Sequence, residues 1–155
     1  MPPPPDFDPM FGRWRVQHRR LHTRLAGADD WQTFEGTSET RPILGGFGNL
    51  EENVLHMPGG PVQAVALRNF DPATGLWAIW WLSSAAPHTL DVPVKGRFSG
   101  PIGTFEADDT LAGRPIRVRF TWDTTDRAAL VWTQAFSPDA GATWEVNWTM
   151  RFTPA

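Results

Sequence analysis

His18 and His22 stand four residues apart, the spacing at which two imidazoles on a helix converge on one metal ion. On an extended strand the same four residues span roughly 13 Å, which no single ion bridges. The extended reading suits the rest of the chain better, so no metal site is expected here, and either imidazole alone stays a candidate general base. Arg68 has Ala64, Ala66 and Phe70 as its neighbours on one parity of an alternating stretch. A guanidinium set among apolar side chains needs an anion. Glu35 or Glu52 could supply it, and so could the carboxylate of a bound molecule. Glu51, Glu145, Asn49, Arg119, Gln134 and Asn147 also lie in alternating stretches, where half the side chains face inward and half face solvent. Arg117, Arg119, Glu145 and Asn147 oppose apolar faces, which assigns them to the outside in cross-strand pairs. A polar interior with tryptophans packed outside, against a loop or a second copy in a homodimer, is the other arrangement open to them.

Several chemistries are excluded. The chain has no cysteine, which removes disulfides, thiolate metal sites and cysteine nucleophiles. There is no phosphate-binding glycine loop and no H-E-x-x-H, and Ser83, Ser84 and Ser99 lack a His–acid context, so no cofactor and no hydrolase triad is expected. Arg13, Arg15, Arg19, Arg20 and Arg24 cluster near Trp14 and Trp31, a pattern that can serve single-stranded nucleic acid. The net charge is −3, however, and Glu35, Glu39, Glu51 and Glu52 are close enough to pair with them, so nucleic acid is not an expected partner. Met1–Pro5 lacks a basic segment followed by an apolar run, and no stretch is apolar for the length of a membrane-spanning helix. The expected compartment is the cytoplasm.

These side chains need a scaffold with many turns. Nine Trp, ten Phe and no Tyr supply large flat surfaces, while fifteen Pro and fourteen Gly punctuate the chain. Residues 1–10 form a proline-rich lead-in with one short helical turn at 6–10. Residues 11–155 form a single all-β domain. Strands are expected at 13–25, 31–40, 49–57, 62–70, 76–82, 94–98, 102–107, 114–123, 128–136 and 143–152. The first is the ambiguous one, since Trp14, His18, Leu21 and Leu25 also make a helical stripe. Hairpin follows hairpin with no parallel crossover, and such a meander removes its edges by closing into an up-and-down β-barrel.

Closure would join the chain ends. Gly12 allows a sharp entry into the first strand, Trp14 turns into the barrel floor, and Arg151 near the end can stack on its indole face. The turn Ser137-Pro138-Asp139-Ala140-Gly141-Ala142-Thr143-Trp144 resembles the Asp-box of sialidases and other β-proteins, in which Asp139 would order the turn and Trp144 pack beneath it. The Gly-x-Trp opening, the late arginine and the ten-strand meander together resemble the calycin superfamily of lipocalins and fatty-acid-binding proteins. Phe7, Met10, Gly12 and Trp14, with Leu44-Gly45-Gly46-Phe47-Gly48-Asn49, Leu67–Thr74 and Asn147-Trp148-Thr149-Met150, resemble uncharacterised bacterial lipocalin-like domains. The haem-binding nitrobindin branch fits poorly, because the last histidine is His88.

The resemblance implies a cavity for a small hydrophobic or amphipathic molecule, with or without an acidic head group. Phe70, Trp77 and Trp81 would give it surface, and Arg68 and Glu52 polarity, with Arg68 as the anchor of an acidic group. The enzymatic alternative is a cofactor-independent isomerase, cyclase or lyase, using His18, Glu35 or Glu52 as acid or base. A barrel simply filled by tryptophan, with a cavity below about 300 Å³, is the third reading.

Overall fold

The computed structural model describes residues 1–155. Its ten strands are β1 (Gly12–Leu21), β2 (Trp31–Ile43), β3 (Gly48–Met57), β4 (Gly60–Asp71), β5 (Leu76–Ser83), β6 (Val94–Ser99), β7 (Ile102–Leu111), β8 (Arg114–Asp123), β9 (Leu130–Ser137) and β10 (Glu145–Pro154). Each pairs antiparallel with its chain neighbour, and β1 also pairs with β10, so the sheet is a closed up-and-down barrel. β1 is a strand and not a helix, but it ends at Leu21. Beyond it Asp30 accepts from the Thr23 backbone N–H at 3.0 Å and turns the chain, which leaves His22 in an exposed turn.

Alternation decides what is inside. Trp14, Val16 and His18 of β1, Phe34 and Ser38 of β2, Glu51 and Asn53 of β3, Ala66 and Arg68 of β4, Trp122 of β8, Trp132 of β9 and Phe152 of β10 are all buried. Trp31 and Trp144 lie outside under arginines: Arg19 sits 3.7 Å over Trp31 and Arg119 3.8 Å over Trp144. Arg117 and Arg119 pair outside with Asp108 and Glu106. Asn147 departs from the expected outward placement. The β10–β9 register shifts between Val146 and Trp148, and this bulge turns both Asn147 and Trp148 into the core.

One end of the barrel is plugged. Phe7, just before the 3-10 turn Asp8–Met10, and Met10 at its end are buried, and Phe7 meets Trp77 edge-on at 4.8 Å and Phe98 at 5.1 Å. Trp77 Nε1 donates to Asp6 at 2.9 Å, and Trp14 Nε1 donates to the Met10 carbonyl at 2.8 Å. The chain ends meet, but not through Trp14 and Arg151. The closing register sets Val16 opposite Phe152 and Gln17 opposite Arg151, so the period of two puts Phe152 inside and Arg151 in solvent. Trp14 packs edge-on against Phe152 instead, at 6.3 Å. Gly12 is required by its φ of +118°, since a Cβ there would meet open space.

The β9–β10 turn is built around Asp139. Its carboxylate accepts from the Thr143 hydroxyl at 2.5 Å, from the Thr143 N–H at 2.8 Å and from the Ser137 hydroxyl, and these bonds hold it down to about 2. Trp144 Nε1 closes back on the Gly141 carbonyl at 3.1 Å. No helix is long and apolar enough to cross a membrane.

Candidate ligand site at the barrel mouth

Between the plugged floor and the opposite, open end, the lumen changes character. Deep inside, Arg68 is wholly buried and its charge is answered from within the chain. It pairs with Glu51, and its other terminal nitrogen donates to Asn49 Oδ1 at 2.7 Å. The guanidinium also lies 4.7 Å from the Phe7 ring and 5.3 Å from that of Trp122. Glu51 accepts in addition from Asn53 at 2.8 Å. The anion for Arg68 is therefore neither Glu35 nor Glu52. Both are one position out of phase with the inward residues of their strands and are exposed. With Glu51 in place Arg68 has no free charge for a ligand carboxylate. The void beside it, bordered by Arg68, Trp81, Trp122 and Trp132, is about 20 Å³, room for one water-sized group.

Phe70 and Trp77 belong to the floor, 5.3 Å apart, and do not reach the open end. His18 sits higher, stacked on Phe34 at 4.6 Å, and accepts from Trp148 Nε1 at 3.1 Å through Nδ1. Burial, then the nearby Arg20 charge, pushes its imidazole down to about 4, so it is neutral with its proton on Nε2. Gly36 makes room for this ring. A Cβ there would lie 3.0 Å from His18 Nε2 and 2.4 Å from the Val54 carbonyl. His18 thus orients Trp148, and its one acceptor nitrogen is occupied.

Toward the mouth a cavity of about 130 Å³ opens among Trp81, Phe120, Trp132, Phe136 and Trp148. Trp132 and Trp81 both meet Trp148 edge-on, at 5.1 and 5.8 Å, which fixes the walls. Gln134 gives a polar edge and is held by its bond to Asn147 at 2.8 Å, so the β10 bulge supports the site. The 22–30 turn leans over the opening, tied down where Glu145 accepts from the Leu25 N–H at 2.8 Å. Arg20, Arg24, Asp91 and Asp109 stand around the rim.

A larger groove of about 780 Å³ runs outside, along β1 to β5 and the 84–93 loop. Its side chains are mostly outward-facing, among them Arg13, Glu39, Glu52, Leu82 and His88. It is open to solvent, and Trp14 is the only tryptophan on its walls, against three in the mouth cavity. The mouth cavity is therefore the better candidate.

Of the residues singled out from sequence, the structure brings Trp81 to the cavity wall and His18 behind it. Arg68, Phe70 and Trp77 lie beneath it, and Glu35 and Glu52 lie outside. Trp132, Asp91 and Asp109 were not singled out, Trp148 entered only through a family motif, and Gln134, Arg20 and Arg24 were noted without being placed at a ligand site. Arg20 shares the parity of Trp14 and His18, a signal the sequence did carry, whereas Arg24 and Asp91 sit in loops with no period to place them.

No curated protein matches this sequence. A solved structure described as "Structure of EF1p2_mFAP2b bound to DFHBI" is similar in fold, with a TM-score of 0.50 over 96% of this chain and 95% of that one, at 11% identity. Residues 7–153, from the floor plug through the closing strand, match the family described as "Protein of unknown function (DUF1579)", and the chain belongs to that family.

Proposed function

We propose that this barrel binds a small hydrophobic or amphipathic molecule in its mouth cavity, as a calycin-like carrier or sensor working in the cytoplasm. One observation carries the reading: a space of about 130 Å³, open at the mouth and walled by Trp81, Trp132 and Trp148, with Gln134 at one edge. That volume falls below the roughly 300 Å³ that marks a barrel simply filled by tryptophan. Binding remains the better reading because the volume is still close to the roughly 150 Å³ of an apolar protein cavity that takes benzene. The ligand is accordingly of single-ring size, smaller than the occupants of pockets above about 300 Å³. The barrel of similar fold that binds DFHBI, a small fluorophore, supports the reading by analogy. The acid–base alternative gains no support from its named residues, since His18 Nδ1 already accepts from Trp148 and Glu35 and Glu52 lie outside the lumen.

Calorimetric titration with benzyl alcohol tests the proposal. Saturable one-site binding is expected. Val118→Phe, which fills the cavity from β8, should weaken it at least tenfold, while Leu82→Arg in the outer groove leaves it unchanged. Binding that survives Val118→Phe, or is lost with Leu82→Arg, contradicts the assignment.

A further inference from the structure

Four ionisable side chains converge on the mouth cavity, and none meets a group of opposite charge within 4 Å. Arg20 ends β1, Arg24 lies in the 22–30 turn, Asp91 in the 84–93 loop and Asp109 near the end of β7. The ion pairs within 4 Å are all elsewhere: Arg13–Glu39, Arg68–Glu51, Arg117–Asp108 and Arg119–Glu106. Arg20 lies 4.3 Å over the Trp148 ring, and the Arg24 side chain donates to the Leu21 carbonyl at 3.3 Å. Both guanidiniums are half-buried. Arg20 and Asp91 attract one another without meeting, while Arg24 repels Arg20 and Asp109 repels Asp91.

Each pair suffers from its own likeness. Arg20 is pushed down to about 10 by desolvation and then by Arg24, with Asp91 pulling the other way. Asp91 is raised by desolvation at the rim and then by Asp109, with Arg20 opposing. Arg24 is lowered by desolvation, and Glu145, which already caps Leu25, partly offsets this. A simple anion would gain from the arginines and be repelled by the aspartates, and a simple cation would meet the reverse. A molecule carrying both signs on one small apolar body relieves both pairs.

Resting on the mouth-cavity reading, we infer that the ligand is a zwitterion of the amino-acid class. Its single ring or short apolar chain lies among Trp81, Trp132 and Trp148. Its carboxylate faces Arg20 and Arg24, and its ammonium faces Asp91 and Asp109. The 130 Å³ space takes the apolar body, and both charges remain at the rim, where water reaches them and desolvation is least costly.

Four probes of one ring size separate this from the reading beneath it: benzyl alcohol, 3-phenylpropanoate, phenethylamine and phenylalanine, each titrated into the intact protein by calorimetry at pH 7. Phenylalanine should bind at least tenfold tighter than benzyl alcohol and tighter than either singly charged probe. Arg20→Gln should remove the advantage of the carboxylate and Asp91→Asn that of the ammonium, read as the order of the four probes within each variant. The inference is overturned, with the cavity reading intact, if benzyl alcohol binds as well as phenylalanine. It is equally overturned if either singly charged probe equals phenylalanine, or if the two variants leave the order of the four unchanged. Failure of all four, benzyl alcohol included, overturns the cavity reading and this inference with it.

Discussion

His18 shows how one buried side chain gives the whole protein a pH dependence. Unfolded, its imidazole has the ordinary value of 6.5, and folded it is held down to about 4. Between those limits the unfolded chain binds the proton and the folded one does not, so acidification favours unfolding. The contribution is fully present above 6.5 and is lost as the pH falls toward 4, amounting to about 3 kcal/mol across the window. His18→Gln keeps an acceptor for Trp148 and removes the titration. Urea midpoints measured from pH 7 to pH 4 should fall more steeply in the native protein than in this variant, and equal slopes would show that His18 is not buried neutral. Arg68 could be placed in the lumen from sequence because Ala64, Ala66 and Phe70 share its parity. Its partner could not. Glu51 and Glu52 are adjacent, and only register tells which one faces in.

At the level of elements, apolar patterning and turn residues located the ten strands, the first of them by the company of the other nine rather than by its own pattern. What they could not locate were the departures from a period of two. The β10 bulge reverses Asn147, and no residue type near it announces the extra position. The N-terminal segment reads as a polar, proline-rich lead-in, yet two of its apolar residues complete the core. Phe7 is 1% exposed and touches four aromatic rings of the floor. Phe7→Ala should therefore cost about 3–5 kcal/mol of unfolding free energy. Phe11→Ala, at a position 36% exposed, should cost less than about 1 kcal/mol. Comparable urea midpoints for the two variants would mean that the segment does not seal the barrel.

For the molecule as a whole, closure of β1 on β10 makes an inside, and six of the nine tryptophans, with the phenylalanines, nearly fill it. The two largest consequences of sequence were legible, a closed meander and an aromatic lumen. The site was legible only in part. Trp81 and His18 lie on regular strands, while half the rim charges come from the 22–30 turn and the 84–93 loop, whose positions depend on long-range ties such as Glu145 to Leu25. The central claim is that the remaining space at the mouth is where a small molecule goes. Indole N–H resonances in a ¹⁵N-correlated NMR spectrum report on it directly, because the tryptophans sample the mouth, the floor and the outer wall. On titration with benzyl alcohol, Trp81, Trp132 and Trp148 should shift in a saturable way, while Trp14 and Trp77 at the floor and Trp31 and Trp144 outside stay still. Shifts confined to the outer or floor indoles, with the three mouth signals unmoved, would contradict the account.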